Sequence, residues 1–526
     1  MQNAPATAHP KFAYERRSAE DSLLRQVLVQ QWPGLQREIR DANDGRGLPK
    51  FLTKAVNGFL ECGLLPKGFL RVHCKSCKTD QFVAFSCKSR GICSSCDGKR
   101  MTELAAHLCD SVIPVVPVRQ YVLTVPGNLR YVLAWNHALR GKVLAAFMRA
   151  LEKHYVRLAE DRGAQEPKFG AISVLQRWDG ALRIFPHWHV LAADGVWHQT
   201  PNGLQFMAAE PLRDDQLQVL LADVIKRVTR QTERHFKKLD EASDADPLQE
   251  ADPAFAALLR QSLLGKHEAE RVVPTVSAGP ALKFTEKSRN CLEAAGFNLH
   301  ANTTVHAVAR ERLEHLVRYV CRPAIAAKRI ETVGAQHIRI KLKNEWKGGI
   351  TAVLLTRKEL ATRILAQIPL PRRASVHYHG IFAPGAALRE EIVPARGGRC
   401  AHNKRKGKPK VDKDAVKKAA GNDDSEAAER AASRKLTWAD ALKRAFFFDI
   451  LACPCGGRRQ VIAAIRQPAA VEKILKHVKL WREDSDKDDS EIIAIRGPPE
   501  ALMPQDEPPD DRWDGWDEPQ ELDWVA

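Results

Sequence analysis

Apolar residues recur at helical spacing near the start of the chain, at Leu23, Leu24, Val27 and Leu28 and again at Phe51, Ala55, Phe59 and Leu60. Positions from about 21 to 60 are therefore predicted to be helical. A strand is predicted over Arg119-Gln-Tyr-Val-Leu-Thr-Val-Pro126, stopped by Pro126-Gly127, and a single helical run from Leu129 to about Arg157 follows. Further strands read at Ala171 to Leu175 and across the nearly unbroken apolar stretch Ile184 to Val190, with a turn at Asp194-Gly195. Leu212 to Leu239 repeats Leu217, Leu220, Leu221, Val224 and Val228 opposite a Lys/Arg-rich side, the pattern of a long amphipathic helix. The acidic segment Asp240 to Pro253 reads as an exposed connection, and Gly296 to His306 as another strand. A helix carrying Tyr319 ends at Pro323, and Ile338 to Lys343 and Gly349 to Leu355 read as paired strands. Strands and helices are both expected, so the chain is of a mixed class.

Composition sets the limits around this core. From about Arg389 to Lys435 large apolar residues nearly vanish, which predicts a flexible linker; Trp438 to Leu480 regains apolar character. The last segment is rich in Pro and Asp and is expected to be disordered. No apolar run reaches the roughly 18 to 20 residues of a membrane helix. The first residues lack the basic start and apolar core of a signal peptide, so a cytoplasmic protein without a membrane partner is expected. The net charge is +18, yet the residues beyond Arg482 hold 16 acids against 3 bases, leaving the preceding chain at about +31. A basic body of this kind suits a polyanionic partner, nucleic acid above all.

Two groups of residues carry candidate chemistry. Cys74-Lys-Ser-Cys77 and Cys93-Ser-Ser-Cys96 lie 15 residues apart, the spacing of a four-cysteine zinc ribbon. Lys88, Arg90 and Arg100 in this basic segment are its candidate DNA contacts, and Cys62, His73 and Cys87 are spare ligands for a more complex arrangement. Cys453-Pro-Cys455-Gly-Gly is a lone pair whose one visible partner is Cys400, and a metal is not favoured there. The second group is His187-Trp188-His189, whose imidazoles share one face of a strand because strand side chains alternate. Two neutral imidazoles can hold a divalent cation, and a tyrosine opposite that cation can attack a phosphodiester. Tyr319 has the best setting of the six tyrosines, Glu314-His-Leu-Val-Arg318-Tyr319-Val-Cys-Arg322-Pro323, with Arg318 and Arg322 placed to hold phosphate oxygens. Each pattern also has an ordinary reading: a satisfied polar face for the triplet, an amphipathic helix edge for the tyrosine.

The order of signatures is more specific than any one of them. Cys74-x-x-Cys77 and then Ser86-Cys87-Lys88-x-Arg90-x-x-Cys93-x-x-Cys96 are followed by Arg119-Gln-Tyr-Val-Leu-Thr-Val-Pro126 and Gln176-Arg177. His187-Trp-His189-Val-Leu, Asp194-Gly195, Leu299-His-Ala and Arg318-Tyr-Val-Cys-Arg-Pro323 complete the series. This series resembles the rolling-circle transposases of the IS91 type, including the related ISCR elements, which belong to the HUH endonucleases. The likeness runs from about Leu23 to Pro384 and weakly through Phe446 to Ile465. It implies an α+β fold with an HUH-type antiparallel sheet and packed helices, a Mg²⁺ or Mn²⁺ ion on His187, His189 and Gln176, and Tyr319 as the strand-transfer nucleophile. It also implies single-stranded DNA and element ends as partners, with a structural Zn²⁺ domain for end recognition. Members often carry a second tyrosine four residues earlier on this helix; here that position is His315, an acid or base or a replacement without a role.

The place of Gln176 stays open: a tight hairpin at Asp179-Gly180 would pair it with Arg183, about 13 Å along the strand from His187. A wider loop, which Pro186 favours, would bring it alongside. The expected organisation is a helical four-cysteine zinc domain (15–105), an HUH-type catalytic domain (106–385), a basic flexible linker (386–435), a small C-terminal region (436–480) and an acidic disordered tail (481–526). The expected function is nicking and rejoining of single-stranded DNA through a 5′-phosphotyrosine; no Walker-type loop is present, consistent with chemistry that needs no nucleotide. A replication initiator or relaxase, or a non-catalytic zinc-dependent DNA-binding regulator, is the alternative.

Overall fold

The computed structural model describes residues 22–240, 246–264, 282–346, 349–393 and 451–481, together with residues 19 and 449. The expected linker and acidic tail lie outside the described residues except at 386–393 and 481. Helices α1 (Leu23–Asp41) and α2 (Lys50–Glu61) form where the periodic positions fall, burying Leu24, Val27, Leu28, Leu52, Val56 and Phe59. Strands β1 (Phe69–Cys74) and β2 (Asp80–Ala84) make a hairpin, and α3 (Ser94–Ser111) leads out of the cysteine-rich segment. After β3 (Val118–Thr124), the helical run expected as one piece is two helices, α4 (Gly127–Trp135) and α5 (His137–Glu160). The break is at Asn136, whose side chain accepts from the Leu139 N–H at 2.9 Å and caps a new helix.

Strands β4 (Gln165–Lys168), β5 (Gly170–Trp178), β6 (Ile184–Ala193), β7 (Gly195–Thr200) and β8 (Gly203–Ala208) precede the long helix α6 (Asp214–Asp240). Gly195 makes the turn from β6 to β7 possible: a Cβ there would lie 2.2 Å from the Met207 carbonyl oxygen. Part of the acidic connection is itself helical, α7 (Pro247–Ala251), capped by Asp246, which also accepts from the Tyr131 hydroxyl at 2.7 Å. Then come α8 (Pro253–Leu264), the short strands β9 (Thr285–Ser288), β10 (Cys291–Ala294), β11 (Phe297–His300) and β12 (Thr304–Val305), and the tyrosine helix α9 (Arg310–Val320). Strands β13 (Ile330–Val333), β14 (His337–Trp346) and β15 (Ile350–Thr356), helix α10 (Arg357–Gln367), strand β16 (Val376–Gly380), helix α11 (Arg389–Ile392), strand β17 (Arg459–Ile465) and helix α12 (Pro468–His477) complete the described chain.

The main sheet is antiparallel, ordered β16-β5-β6-β3-β11-β10-β9 with β12 also on β3. Every residue of β6 is buried, because both sheet faces are covered. Tyr121, Leu123, Trp188 and Val190 face α5 and α6 on one side; Ile172, Val174 and Leu191 meet α3 and α9 on the other. On the first side Asp194 accepts two of the three guanidinium hydrogen bonds of Arg119, at 3.0 and 2.9 Å, and the Tyr155 hydroxyl at 2.9 Å. A second core joins α1, α2, α8 and α10 to the β13–β15 sheet, and a small third one lies under β17-β1-β2. The C-terminal strand thus completes a sheet begun by the cysteine-rich hairpin, a pairing that no local pattern announces.

Candidate active site and cysteine centres

Pro186 has no N–H to give to a strand ladder, and β6 bulges beside it: Trp178 pairs with Ile184, but Gln176 pairs with His187. The turn between β5 and β6 is accordingly wider than a tight hairpin, with the Asp179 carboxylate accepting from the Ala181 and Arg183 amides at 2.9 and 2.8 Å. Of the two geometries open from sequence, the wider loop is the one found. Directly opposed residues share a sheet face, so Gln176, His187 and Thr124 form one cross-strand row and Val174, His189, Val122 and His300 the next.

The two imidazoles lie with ring centroids 5.0 Å apart. His187 Nδ1 donates to the Phe185 carbonyl oxygen at 2.8 Å, which leaves the Nε2 lone pair as its ligand atom. His189 Nδ1 is 2.5 Å from the Gln120 amide, and its Nε2 is buried without a hydrogen-bond partner. Burying an unsatisfied polar atom costs about 1–3 kcal/mol; a ligand at Nε2 would recover it. The Gln120 Oε1 is likewise unpartnered, so a turned amide would accept from Nδ1–H and leave Nε2 free to coordinate. Burial pushes His187 down to about 4 and, with the neighbouring His187, holds His189 well below the usual imidazole range. Neutral imidazole is the ligating form. These residues fit a divalent cation.

Helix α9 lies over this face. The Gln176 amide nitrogen donates to the Val320 carbonyl oxygen at 2.7 Å, leaving the carboxamide oxygen as the atom of Gln176 suited to a cation. The Tyr319 ring stands edge-on to His189, centroids 6.4 Å apart. Arg322 Cζ lies 4.3 Å and Lys343 Nζ 4.6 Å from the Tyr319 ring centroid, so two cations flank the phenol. Arg318, expected beside the phosphate, is held instead by Glu314 one turn back at 2.7 Å. His315 is exposed on α9. Lys343 and Gln120 escaped the sequence reading; the signal for Gln120 was its period-two spacing from Val122 and Thr124 on a strand already identified.

The cysteines depart from expectation. Cys74, Cys77, Cys93 and Cys96 do not converge; the eight nearby thiols divide into two sets, Cys62/Cys87/Cys93/Cys96 and Cys74/Cys77/Cys453/Cys455. In each set all sulfurs lie within 4.8 Å of one another. Zinc–sulfur bonds of about 2.3 Å in a tetrahedron put sulfurs roughly 3.8 Å apart. The measured separations in the first set are 3.7 Å (Cys62–Cys93), 3.9 Å (Cys62–Cys96) and 3.5 Å (Cys87–Cys96). Backbone N–H groups of Cys87 and Ser89 point to the Cys62 and Cys87 sulfurs at 3.3 Å, which stabilises thiolate. Contact with Cys62 holds the Cys87 thiol far below its usual range, and the same contact pushes Cys62 far above. This donor set suits zinc. The expected ribbon fails because β1 carries the Cys74 knuckle away from Cys93, while α2 ends at Cys62 beside it.

The basic residues of this segment are largely committed internally. Arg90 donates to the Arg373 and Leu370 carbonyl oxygens at 2.8 and 3.4 Å, and Arg100 to Ser89 O and Asp97 at 3.1 and 3.3 Å and to Lys88 O. Arg90 braces the cysteine loop against the chain after α10, and Arg100 ties the loop to α3. Lys88 is exposed, whereas Arg90 and Arg100 are half-buried. Helix α3 carries Cys96 in its first turn, and its far end and the two residues after it pack on α9, with Leu108, Val112 and Ile113 in one core with Leu313, Leu316 and Val317. One rigid element therefore spans from the thiols to the tyrosine helix.

Among the described residues no helix is long and apolar enough to cross a membrane. No curated protein and no solved structure matches the chain. Two protein-family models do: the transposase zinc-binding domain (Zn_Tnp_IS91) over residues 30–125, and a transposase family (Y2_Tnp) over residues 170–390. The first contains six of the eight clustered cysteines, and the second contains Gln176, His187, His189 and Tyr319. These two matches, zinc-binding domain first, place the chain among the transposases of the IS91 type.

Proposed function

We propose that the chain nicks and rejoins single-stranded DNA at the ends of a mobile element, with Tyr319 as nucleophile, on an HUH-type sheet. The observation that carries this is the meeting, on one face, of two neutral imidazoles, a carboxamide and a tyrosine flanked by two cations. His187 Nε2, His189 Nε2 and Gln176 Oε1 would hold Mg²⁺ or Mn²⁺. Bound there, the ion supplies Lewis-acid polarisation of a phosphodiester oxygen. The Tyr319 oxygen attacks phosphorus, loses its proton, and displaces the 3′-oxygen, which leaves as a protonated hydroxyl; the 5′-phosphate remains on the tyrosine. Attack by another 3′-hydroxyl reverses the step and restores the phenol, so bond energy is conserved. Lys343 and Arg322 stabilise the developing phenolate and the phosphate charge. His315 takes no part, since its side chain is turned to solvent.

The Cys62/Cys87/Cys93/Cys96 set holds a structural zinc that fixes the N-terminus of α3 and hence the seat of α9. Contacts to DNA by this module fall to Lys88 and its exposed neighbours rather than to Arg90 and Arg100. A labelled single-stranded oligonucleotide carrying an element end tests the reading. Cleavage should require Mg²⁺ or Mn²⁺ and disappear in His187→Ala and Tyr319→Phe. Binding without cleavage under every condition would leave the non-catalytic regulator standing.

A further inference from the structure

The second thiol set joins parts of the chain more than 370 residues apart. Cys74 Sγ lies 3.7 Å from Cys455 Sγ and Cys77 Sγ 3.5 Å from Cys453 Sγ. These separations again match a tetrahedron of thiolates about one ion, with spacings of roughly 3.8 Å expected. The backbone around them has knuckle geometry. Amides of Ser76 and Cys77 point at the Cys74 sulfur, that of Thr79 at Cys77, and that of Gly457 at Cys455. Lys78 and Gly456, each next after the second cysteine of its pair, take positive φ of 58° and 82°. A Cβ on Gly457 would lie 2.5 Å from Ser76 Oγ and 3.1 Å from Cys74 Sγ, so glycine lets the two turns meet. The Cys453 carbonyl oxygen accepts from Gly456 N–H and the Gly457 carbonyl oxygen from Cys453 N–H, both at 2.9 Å, closing the second turn.

The pairing continues beyond the sulfurs. Cys74 is opposite Arg459, and β17 runs antiparallel along β1 from there to Phe69. Among the described residues, the apolar core beneath has just Leu65, Phe69, Phe82, Val471 and Leu475 as buried members. A core this small rarely holds a segment in place without a metal or another cross-link.

We propose that Cys74, Cys77, Cys453 and Cys455 form a second zinc site, separate from the first, that staples residues 451–481 to the β1–β2 hairpin. The site joins the β1–β2 hairpin and residues 451–481 into one unit; it does not depend on the nicking reaction.

Metal analysis of the purified full-length protein tests it directly. Two zinc ions per chain are expected, falling to one in the Cys453→Ser/Cys455→Ser double variant. One zinc in both proteins, two in both, or iron in place of the second zinc overturns the proposal. Should the variant fail to fold, thiol alkylation of the unaltered protein read by mass spectrometry decides. Cys453 and Cys455 should react at least about tenfold more slowly before chelation than after it. Equal rates before and after overturn the site, as does resistance to alkylation that only a reductant relieves, since that marks a disulfide.

Discussion

His187 and His189 stand on a strand buried along its whole length, paired with β3 through a continuous ladder and with β5 through one that bulges just before His187, and their positions are set by register. The clustered cysteines stand on turns, strand ends and helix starts, among short elements with little core of their own. On this account the first site is preformed by the sheet, whereas the second kind is expected to gain its order when a cation gathers the thiols. Metal should therefore act on chemistry in one region and on folding in the other.

The largest consequence concerns the first cysteine set. Cys93→Ser should unfold the N-terminal region, because structural zinc contributes on the order of 10 kcal/mol, comparable with the stability of a whole domain. Loss of the cooperative melting transition and rapid proteolysis after α2 would register it. His189→Gln, by contrast, should leave the melting temperature within about 5 °C of the parent while abolishing cation binding in calorimetry. Equal damage by both variants would erase the contrast.

Next in size is the buried ion pair on the far sheet face. Asp194→Asn leaves Arg119 buried without its charge partner and should cost about 3–5 kcal/mol in denaturant unfolding, with no effect on zinc content. A smaller effect, about 10- to 100-fold in cleavage rate, is expected for Lys343→Ala. It should appear in the rate of adduct formation rather than in oligonucleotide affinity, since Lys343 is placed at the phenol.

The smallest is a pH effect away from both regions. Burial pushes His154 on α5 down to about 4 from 6.5. Between those values the unfolded chain binds a proton that the folded one excludes, so stability falls as pH drops from about 6.5 towards 4. At pH 5 the loss should be about 2 kcal/mol relative to pH 7, and His154→Gln should remove that part of the slope.

The parts of this account that were legible in the sequence are those governed by local periodicity. The alternating strand marked His187 and His189, the apolar spacing marked α1, α2 and α6, and Pro323 closed the tyrosine helix. The register of Gln176 turned on a bulge beside Pro186, which sequence made plausible but could not decide. The break at Asn136 was missed because apolar spacing continues through it; only the cap separates the helices. The cysteine partition was hidden for a different reason. Spacing along the chain favoured Cys74/Cys77 with Cys93/Cys96, whereas the pairing of β17 on β1 brings Cys453 and Cys455 to the first knuckle. Strand pairing at that sequence distance leaves no local trace. An even count of cysteines, with Cys62 and Cys87 left over beside Cys93 and Cys96, was the available hint. Lys343 reaches Tyr319 from a hairpin that reads only as paired strands.

The central claim is that Tyr319 itself becomes joined to DNA. The covalent adduct formed on a single-stranded element end can be digested with trypsin, which cuts after Arg318 and Lys328 but not before Pro323, and the nucleotide-bearing peptide sequenced by mass spectrometry. The expected result is one peptide, residues 319–328, carrying a 5′-phosphate on Tyr319 and absent when Mg²⁺ and Mn²⁺ are withheld. A nucleotide on any other residue, or an adduct that persists in Tyr319→Phe, would contradict it.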